Sequence, residues 1–344
     1  MSYAAGAMSA KAKAMFGNRI KASDYQILLQ KKTISEIASY LKKETYFSNV
    51  LSGINEVSVH RGQLEALIRL DLFDRFSNLI RYYNTEESEF YKYIIIEIEI
   101  EQILGRIRAF EISDNINFIS KIPTYLGKYT TFDINKLLNI KDYDELLDLL
   151  RNTDYYPIIN QYKVDDISDF DFNSFESALR KYYYDKVLKI LDKEFSGKVK
   201  SDIKDVYLTR IELENITRIY RLKKYFNTPP EEIRKLLVPM YLRISKKELD
   251  EMIDHVDADK IFDYLGQTSY KHYMDDKQNM YIDYHTKMIH FNINKKYLMF
   301  SSEPDLVLFT YMVLSEVEIQ NIVDIIEGAR YNIASEKIEQ LLIY

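Results

Sequence analysis

Apolar residues recur at three- and four-residue steps through most of the chain, as in Ile27, Ile34, Ile37 and Leu41, or Leu137, Leu138, Leu146, Leu149 and Leu150. That spacing lines one face of an α-helix, and only 9 Gly and 6 Pro interrupt 344 residues, so the pattern predicts an all-α fold. Two stretches read less simply. Ile96 to Glu101 alternates apolar and acidic residues like a strand, but Ile96, Ile100, Ile103 and Ile107 continue the stripe for more than two helical turns, which predicts helix. Met288 to Phe300, with His290-Phe291-Asn292-Ile293 inside it, is read as a local extended segment or hairpin.

The pattern also repeats. A tyrosine follows a leucine by five residues at Leu41 and Tyr46, at Leu150 and Tyr155, and at Leu265 and Tyr270, so the landmark recurs after 109 and 115 residues. About 60 residues beyond each lies a second one: Glu99-x-Glu101-Gln102-Ile103, Glu212-x-Glu214-Asn215-Ile216 and Glu318-x-Gln320-Asn321-Ile322. Two landmarks in the same order at matching intervals predict three copies of one helical unit. Pro123 and Pro229-Pro230 fall near the implied boundaries, giving helical repeats at 1–118, 119–226 and 227–344. Thr228-Pro229-Pro230-Glu231-Glu232 reads as a helix start with Thr228 as its cap. Ala334-Ser335-Glu336-Lys337-Ile338 stands in the equivalent place 105 residues later.

Composition narrows what such a chain does. At 47% hydrophobic and 29% charged residues it is neither disordered nor membrane-embedded. Tyr93 to Ile96, taken as the longest apolar run, stops at Glu97, so no segment is expected to cross a bilayer. The Ala-rich N-terminus carries Lys11 and Lys13 after its apolar residues, unlike a secretory signal. Cysteine is absent, which excludes disulfides, thiolate nucleophiles and Cys-ligated zinc. A net charge of −6 argues against nucleic acid as a partner.

Catalytic signatures are missing. Gly53 and Gly62, nine apart, are the closest glycines, so no phosphate-binding loop can be written and no direct nucleotide contact or cofactor is expected. The histidines, His60, His255, His272, His285 and His290, make neither HExxH nor ExxH, and no metal is expected, although His285 and His290 could pair on a loop. The run from Asp165 to Asp171 reads as a loop or helix start, not a calcium loop. The 30 tyrosines read as packing in preference to base-stacking platforms.

Phe175-Glu176-Ser177-Ala178-Leu179-Arg180-Lys181-Tyr182-Tyr183, then Ile211-Glu212-Leu213-Glu214-Asn215-Ile216 and Arg218, Ile219, Arg221, Lys223 and Pro230-Glu231-Glu232-Ile233, resemble the C subunit of V/A-type rotary ATPases, the equivalent of the eukaryotic d subunit. Glu303-Pro304, Tyr311, Glu316, Glu318, Asn321-Ile322 and Ile325 agree, as do Tyr3, the Ala-Lys run to Ala14, Tyr25 and Leu28-Leu29. Lys11 and Lys13 stand where that resemblance leads one to expect arginine, and Glu327 replaces a basic residue. The resemblance implies a pseudo-threefold helical funnel without catalysis, peripheral on the cytoplasmic face of the membrane. Its implied partners are central-stalk shaft subunits of the D and F type and a membrane rotor ring of c/K-type subunits, in a complex that moves protons or sodium. Glu101 with Arg108 and Glu214 with Arg221, each pair seven residues apart on one helix face, are the candidate stalk or ring contacts. The blander reading makes them surface charges or ion pairs within a repeat, worth under about 1 kcal/mol each. The alternative function is a helical-repeat scaffold unrelated to rotary ATPases, which would carry a shorter period near 34 residues.

Overall fold

A computed structural model of the chain describes residues 3–80, 88–112, 127, 130–275 and 281–344. Those residues form helices and contain no strand. The helices are α1 (Tyr3–Gly17), α2 (Ala22–Leu29), α3 (Ile34–Glu44), α4 (Arg61–Ile80), α5 (Lys92–Ile112), α6 (Tyr143–Leu150), α7 (Tyr156–Gln161), α8 (Phe172–Glu194), α9 (Gly197–Phe226) and α10 (Pro230–Leu236). They continue with α11 (Lys246–Asp254), α12 (Ile261–Leu265), α13 (Ile282–Phe300), α14 (Pro304–Arg330) and α15 (Ser335–Glu339). Long helices alternate with clusters of short ones.

Contacts divide the chain into two compact units. One comprises Met1–Thr85, Gly197–Ile233 and Pro239–Tyr344; the other comprises Glu86–Ser196 and Arg234–Val238. The boundary expected near residue 118 lies outside the described residues, and residue 226 is the last of α9.

Short helices begin where side chains replace the missing backbone acceptors. Thr33 accepts from the Glu36 N–H, Asp142 from the Glu145 N–H, and Ser245 from the Glu248 N–H while the Glu248 carboxylate accepts from the Ser245 N–H. The expected cap at Thr228 is displaced by one residue: the Pro229 carbonyl accepts from the Glu232 and Ile233 N–H groups, both at 3.0 Å. Proline has no N–H to donate, so it occupies this position at no cost. The parallel 105 residues on is observed, since the Ala334 carbonyl accepts from Lys337 and Ile338. Asn227 and Asn332, also 105 apart, both close the preceding long helix with positive φ, at 48° and 51°.

Two expectations are corrected. Met288 to Phe300 is no strand or hairpin but the body of α13. This helix packs against both α9 and α14, which buries Tyr284, His285, Met288, Ile289, Phe291 and Ile293 and erases the one-sided periodicity of a surface helix. Tyr93 to Ile96 is likewise not the longest apolar run. Pro304–Arg330 is long and apolar enough to cross a membrane, yet 83% of its apolar window is buried inside the chain, as in a core helix. The alternating stretch at Ile96 to Glu101 is helical, within α5.

Candidate functional site

The first acid of each Glu-x-Glu/Gln landmark points inward. Glu99 is fully buried on α5, Glu212 is 1% exposed on α9 and Glu318 is 7% exposed on α14. Residues three and four further along share their face, and Asn215, Ile216, Asn321, Ile322 and Ile103 are buried with them. The residue two further along is rotated by about 200°, which leaves Glu101 and Glu214 exposed and Gln320 half-buried.

Each buried carboxylate grips a short helical head at both ends. Glu99 Oε2 accepts from the Tyr155 hydroxyl at 2.6 Å, and its Oε1 accepts from the Thr131 N–H and from Thr131 Oγ1. Glu212 accepts from the Tyr270 hydroxyl at 2.5 Å and from the N–H groups of Leu242, Arg243 and Ile244 at 2.8, 3.1 and 3.0 Å. Glu318 accepts from the Tyr46 hydroxyl at 2.7 Å and from the Ile20 N–H. The gripped segments, 20–46, 131–155 and 244–270, thus hang from their long helices through the same acceptor and the same tyrosine.

A threonine sets the five-residue landmark. Thr45, Thr153 and Thr268 each donate a hydroxyl to the carbonyl of the landmark leucine, Leu41, Leu150 and Leu265. Thr153 and Thr268 then accept from the N–H of the tyrosine itself, and Thr45 from that of Phe47. This local turn stops the short helix and swings the tyrosine ring back toward the carboxylate.

The three clips differ in their cations. Arg75 stands 3.9 Å over the Tyr46 ring, reaches Glu318 at 3.4 Å and bonds Asp71 at 2.5 Å. Burial works against its charge, and Tyr46, Tyr311, Asp71 and Glu318 more than offset that. Arg243 lies 5.5 Å over the Tyr270 ring and forks onto Asp205 at 2.7 and 2.8 Å. Glu99 is bonded by neutral groups, Tyr155 and Thr131. Burial pushes the Glu99 and Glu318 carboxyls above the ordinary carboxylate value; hydrogen bonds pull Glu99 partway back, and the Arg75 charge followed by hydrogen bonds does so for Glu318. A carboxyl raised in the folded state contributes stability that is complete below its unfolded value of 4.5 and is lost as pH rises through its folded value. The stability gap between wild type and Glu99→Gln, measured by urea unfolding, is therefore expected to shrink from below pH 4.5 to pH 7. A gap independent of pH would contradict the assignment.

The four residues singled out by spacing lie on helix surfaces. Glu101 pairs with Arg180 at 3.3 Å and Arg108 with Glu176 at 3.3 Å, and Arg180 also meets Glu176 at 2.7 Å, so α5 and α8 share an alternating ladder of charges. Glu214 pairs with Arg210 one turn back at 3.1 Å, and Arg221 with Asp283 at 2.6 Å. About half of Glu101, Arg108 and Arg221 is exposed. Glu327, which stands in place of a basic residue, pairs with Arg61 at 2.9 Å, and Lys13 donates to the Ser301 carbonyl at 2.8 Å. His285 and His290 lie on α13, not on a loop. The His285 ring lies 3.7 Å from that of Phe262, and burial pushes His290 down to about 3, leaving it neutral. The acidic run supplies caps: Asp166 accepts from the Ser168 N–H and Asp171 from the Ser174 N–H. Among the described residues no group of three or more acids and histidines is arranged to hold a metal ion. The cavity beside Arg75 and Glu318 has about 10 Å³ of free space, room for one water and not for a substrate.

What the clips do is hold short heads on long helices. Comparison with known proteins agrees with a structural part. A family model described as ATP synthase (C/AC39) subunit matches residues 8–341, which include all three clips. The chain is similar to the C subunit of the A-type ATP synthase of Methanocaldococcus jannaschii, 24% identical over 332 residues that cover 92% of this chain and 80% of the relative. It is similar to the corresponding C subunit of the A-type ATP synthase of Pyrococcus horikoshii, 24% identical over 264 residues covering 76% and 67% of the two chains. A third, from Methanococcoides burtonii, is 24% identical over 236 residues, 63% of this chain and 64% of the relative.

Proposed function

The chain belongs to the ATP synthase (C/AC39) subunit family, and from that premise we propose that it is the socket joining a rotating central shaft to a membrane rotor ring. It is a non-catalytic subunit of a rotary ATPase complex. Its shaft partners are of the D and F type and its ring partners of the c/K type, met on the cytoplasmic face of the membrane, and the three heads make the lobes of a funnel.

The observation that carries this reading is the threefold recurrence of one clipped head. Torque loads a contact sideways, and a head anchored at both ends by a buried carboxylate resists shear without any moving part. A contact that bears load and still separates favours a large, partly polar surface, above roughly 1,000 Å². Partly exposed ladders such as Glu101, Arg180, Glu176 and Arg108, and pairs such as Arg221 with Asp283 and Arg210 with Glu214, supply polar groups of that kind.

A pull-down of the full chain with purified shaft subunits, at about 50 mM and about 500 mM salt, tests it. Capture that weakens at the higher salt is expected, because the Debye length falls from above ~10 Å to below ~8 Å across that range. Arg221→Ala should weaken capture while leaving helix content by circular dichroism unchanged. Absence of capture at either salt removes the socket reading; capture equal to wild type removes Arg221 alone.

A further inference from the structure

Packing inside the larger unit joins opposite ends of the sequence. One apolar cluster holds Tyr25, Leu28, Ile37, Leu41, Phe47, Leu64 and Ile68 together with Ile319, Ile322, Ile326, Ile338 and Leu342. Polar contacts follow the same route. Ser335 Oγ donates to the Leu29 carbonyl at 2.7 Å, Gln26 Nε2 to Glu339 at 2.7 Å, and Asn321 Nδ2 to the Tyr25 hydroxyl at 3.1 Å. The Tyr344 ring stacks on that of Tyr25 with centroids 4.9 Å apart.

The clips reveal the register of this arrangement. Glu99 and Glu212 each bond a backbone N–H 32 residues downstream, at Thr131 and Ile244, and then the tyrosine that ends the same head. Glu318 instead grips a head that precedes it. That head begins at Ile20 and ends at Tyr46, 272 residues away in sequence. A return helix completes each set: α8 after the head of Glu99, α13 after that of Glu212, and α4 after that of Glu318.

We propose that the repeating module is circularly permuted relative to the chain: long helix first, gripped head second, return helix last. Two modules are continuous, 88–196 and 197–300. The third joins 304–344 to the N-terminal residues through 80. It replaces the three consecutive segments bounded near 118 and 226, which cut each long helix away from the head it holds. The long helix α14 is the anchor of the N-terminal head, and Glu318 is the positioning residue through which a change at one end of the sequence reaches the other. This holds whether or not the socket reading does.

Amide hydrogen exchange on the full chain, resolved by peptide, separates the two registers. Glu318→Gln should accelerate exchange across residues 20–48 by at least about tenfold, with 131–155 and 244–270 within about twofold of wild type. Glu99→Gln should do the reverse, loosening 131–155 and sparing 20–48. Tyr46→Phe keeps the carboxylate, Arg75 and the ring beneath it and removes only the hydroxyl, which bonds Glu318 and Arg75 at the end of the head, so it reports even where Glu318→Gln does not fold; it too should loosen 20–48 selectively. Unchanged exchange over 20–48 in a folded Tyr46→Phe protein, or acceleration shared equally by all three heads, would overturn the permuted module.

Discussion

Replacing Glu212 by alanine is expected to destabilise its unit by about 3–5 kcal/mol, the cost of breaking a buried charged network by removing one partner. The carboxylate is 1% exposed and accepts four hydrogen bonds, from the N–H groups of Leu242, Arg243 and Ile244 and from the Tyr270 hydroxyl. Truncation leaves these donors facing a small cavity, and each buried donor without an acceptor costs about 1–3 kcal/mol unless water replaces the oxygen. The neighbouring Arg243 keeps its fork on Asp205, so the loss is confined to the head and its anchor. Glu214→Ala is the matched control. It removes an acid two residues away that pairs at the surface with Arg210, and surface changes of that kind stay within about 0.5 kcal/mol. Urea denaturation of the two variants measures the contrast. Equal midpoints would mean that the inward carboxylate is not what holds the head.

Gly328→Ala is expected to cost about 1–3 kcal/mol, although alanine ordinarily stabilises a helix interior. Gly328 lies on α14 where α15 packs across it, and a Cβ there would stand 2.0 Å from Ile338 Cδ1 and 2.7 Å from Cγ1. The far methyl can swing aside about χ2, but Cγ1 moves only by rotating χ1, which for a residue 6% exposed drives the side chain into packed neighbours, so the short helix is expected to shift. Because α15 also carries Glu339, and Ser335 begins it, that shift loosens the contacts with Gln26 and Leu29. A double-mutant cycle with Ile338→Ala isolates the clash. The second substitution should cost less in the Gly328→Ala background than in wild type, by about 0.5–3 kcal/mol, and simple additivity would show that no clash exists.

Much of this was legible in the residues themselves. The helical class followed from spacing because a one-sided apolar stripe is what a helix against a core needs, and α3 and α6 carry it openly. Where a helix is enclosed on two flanks, as α13 is, the stripe vanishes and Met288 to Phe300 reads as extended. The landmarks were visible too, and the tyrosines and leucines at 41, 150, 155, 265 and 270 are buried as packing residues. Which acid mattered was not visible. In Glu-x-Glu the two carboxylates differ by about 200° around the axis, and charge alone favours exposing both. Spacing therefore singled out Glu101 and Glu214, which pair at the surface, and passed over Glu99 and Glu212, whose donors come from backbone 32 residues further on. The threonine at each turn was also missed, although Thr45, Thr153 and Thr268 stand within two residues of the tyrosine and would have tied the landmark to a turn.

Sequence alone determined that this protein is helical, that two landmarks recur along it in the same order, and that the usual catalytic motifs are missing, because helical period, recurrence and motifs are all properties of order along the chain. Tertiary structure alone decided which carboxylates are buried, what they hold, and that the last long helix serves the first head. Those facts depend on backbone N–H groups and hydroxyls brought together from distant positions, and a hydrogen bond depends on distance and angle in space, to which separation along the chain gives no guide.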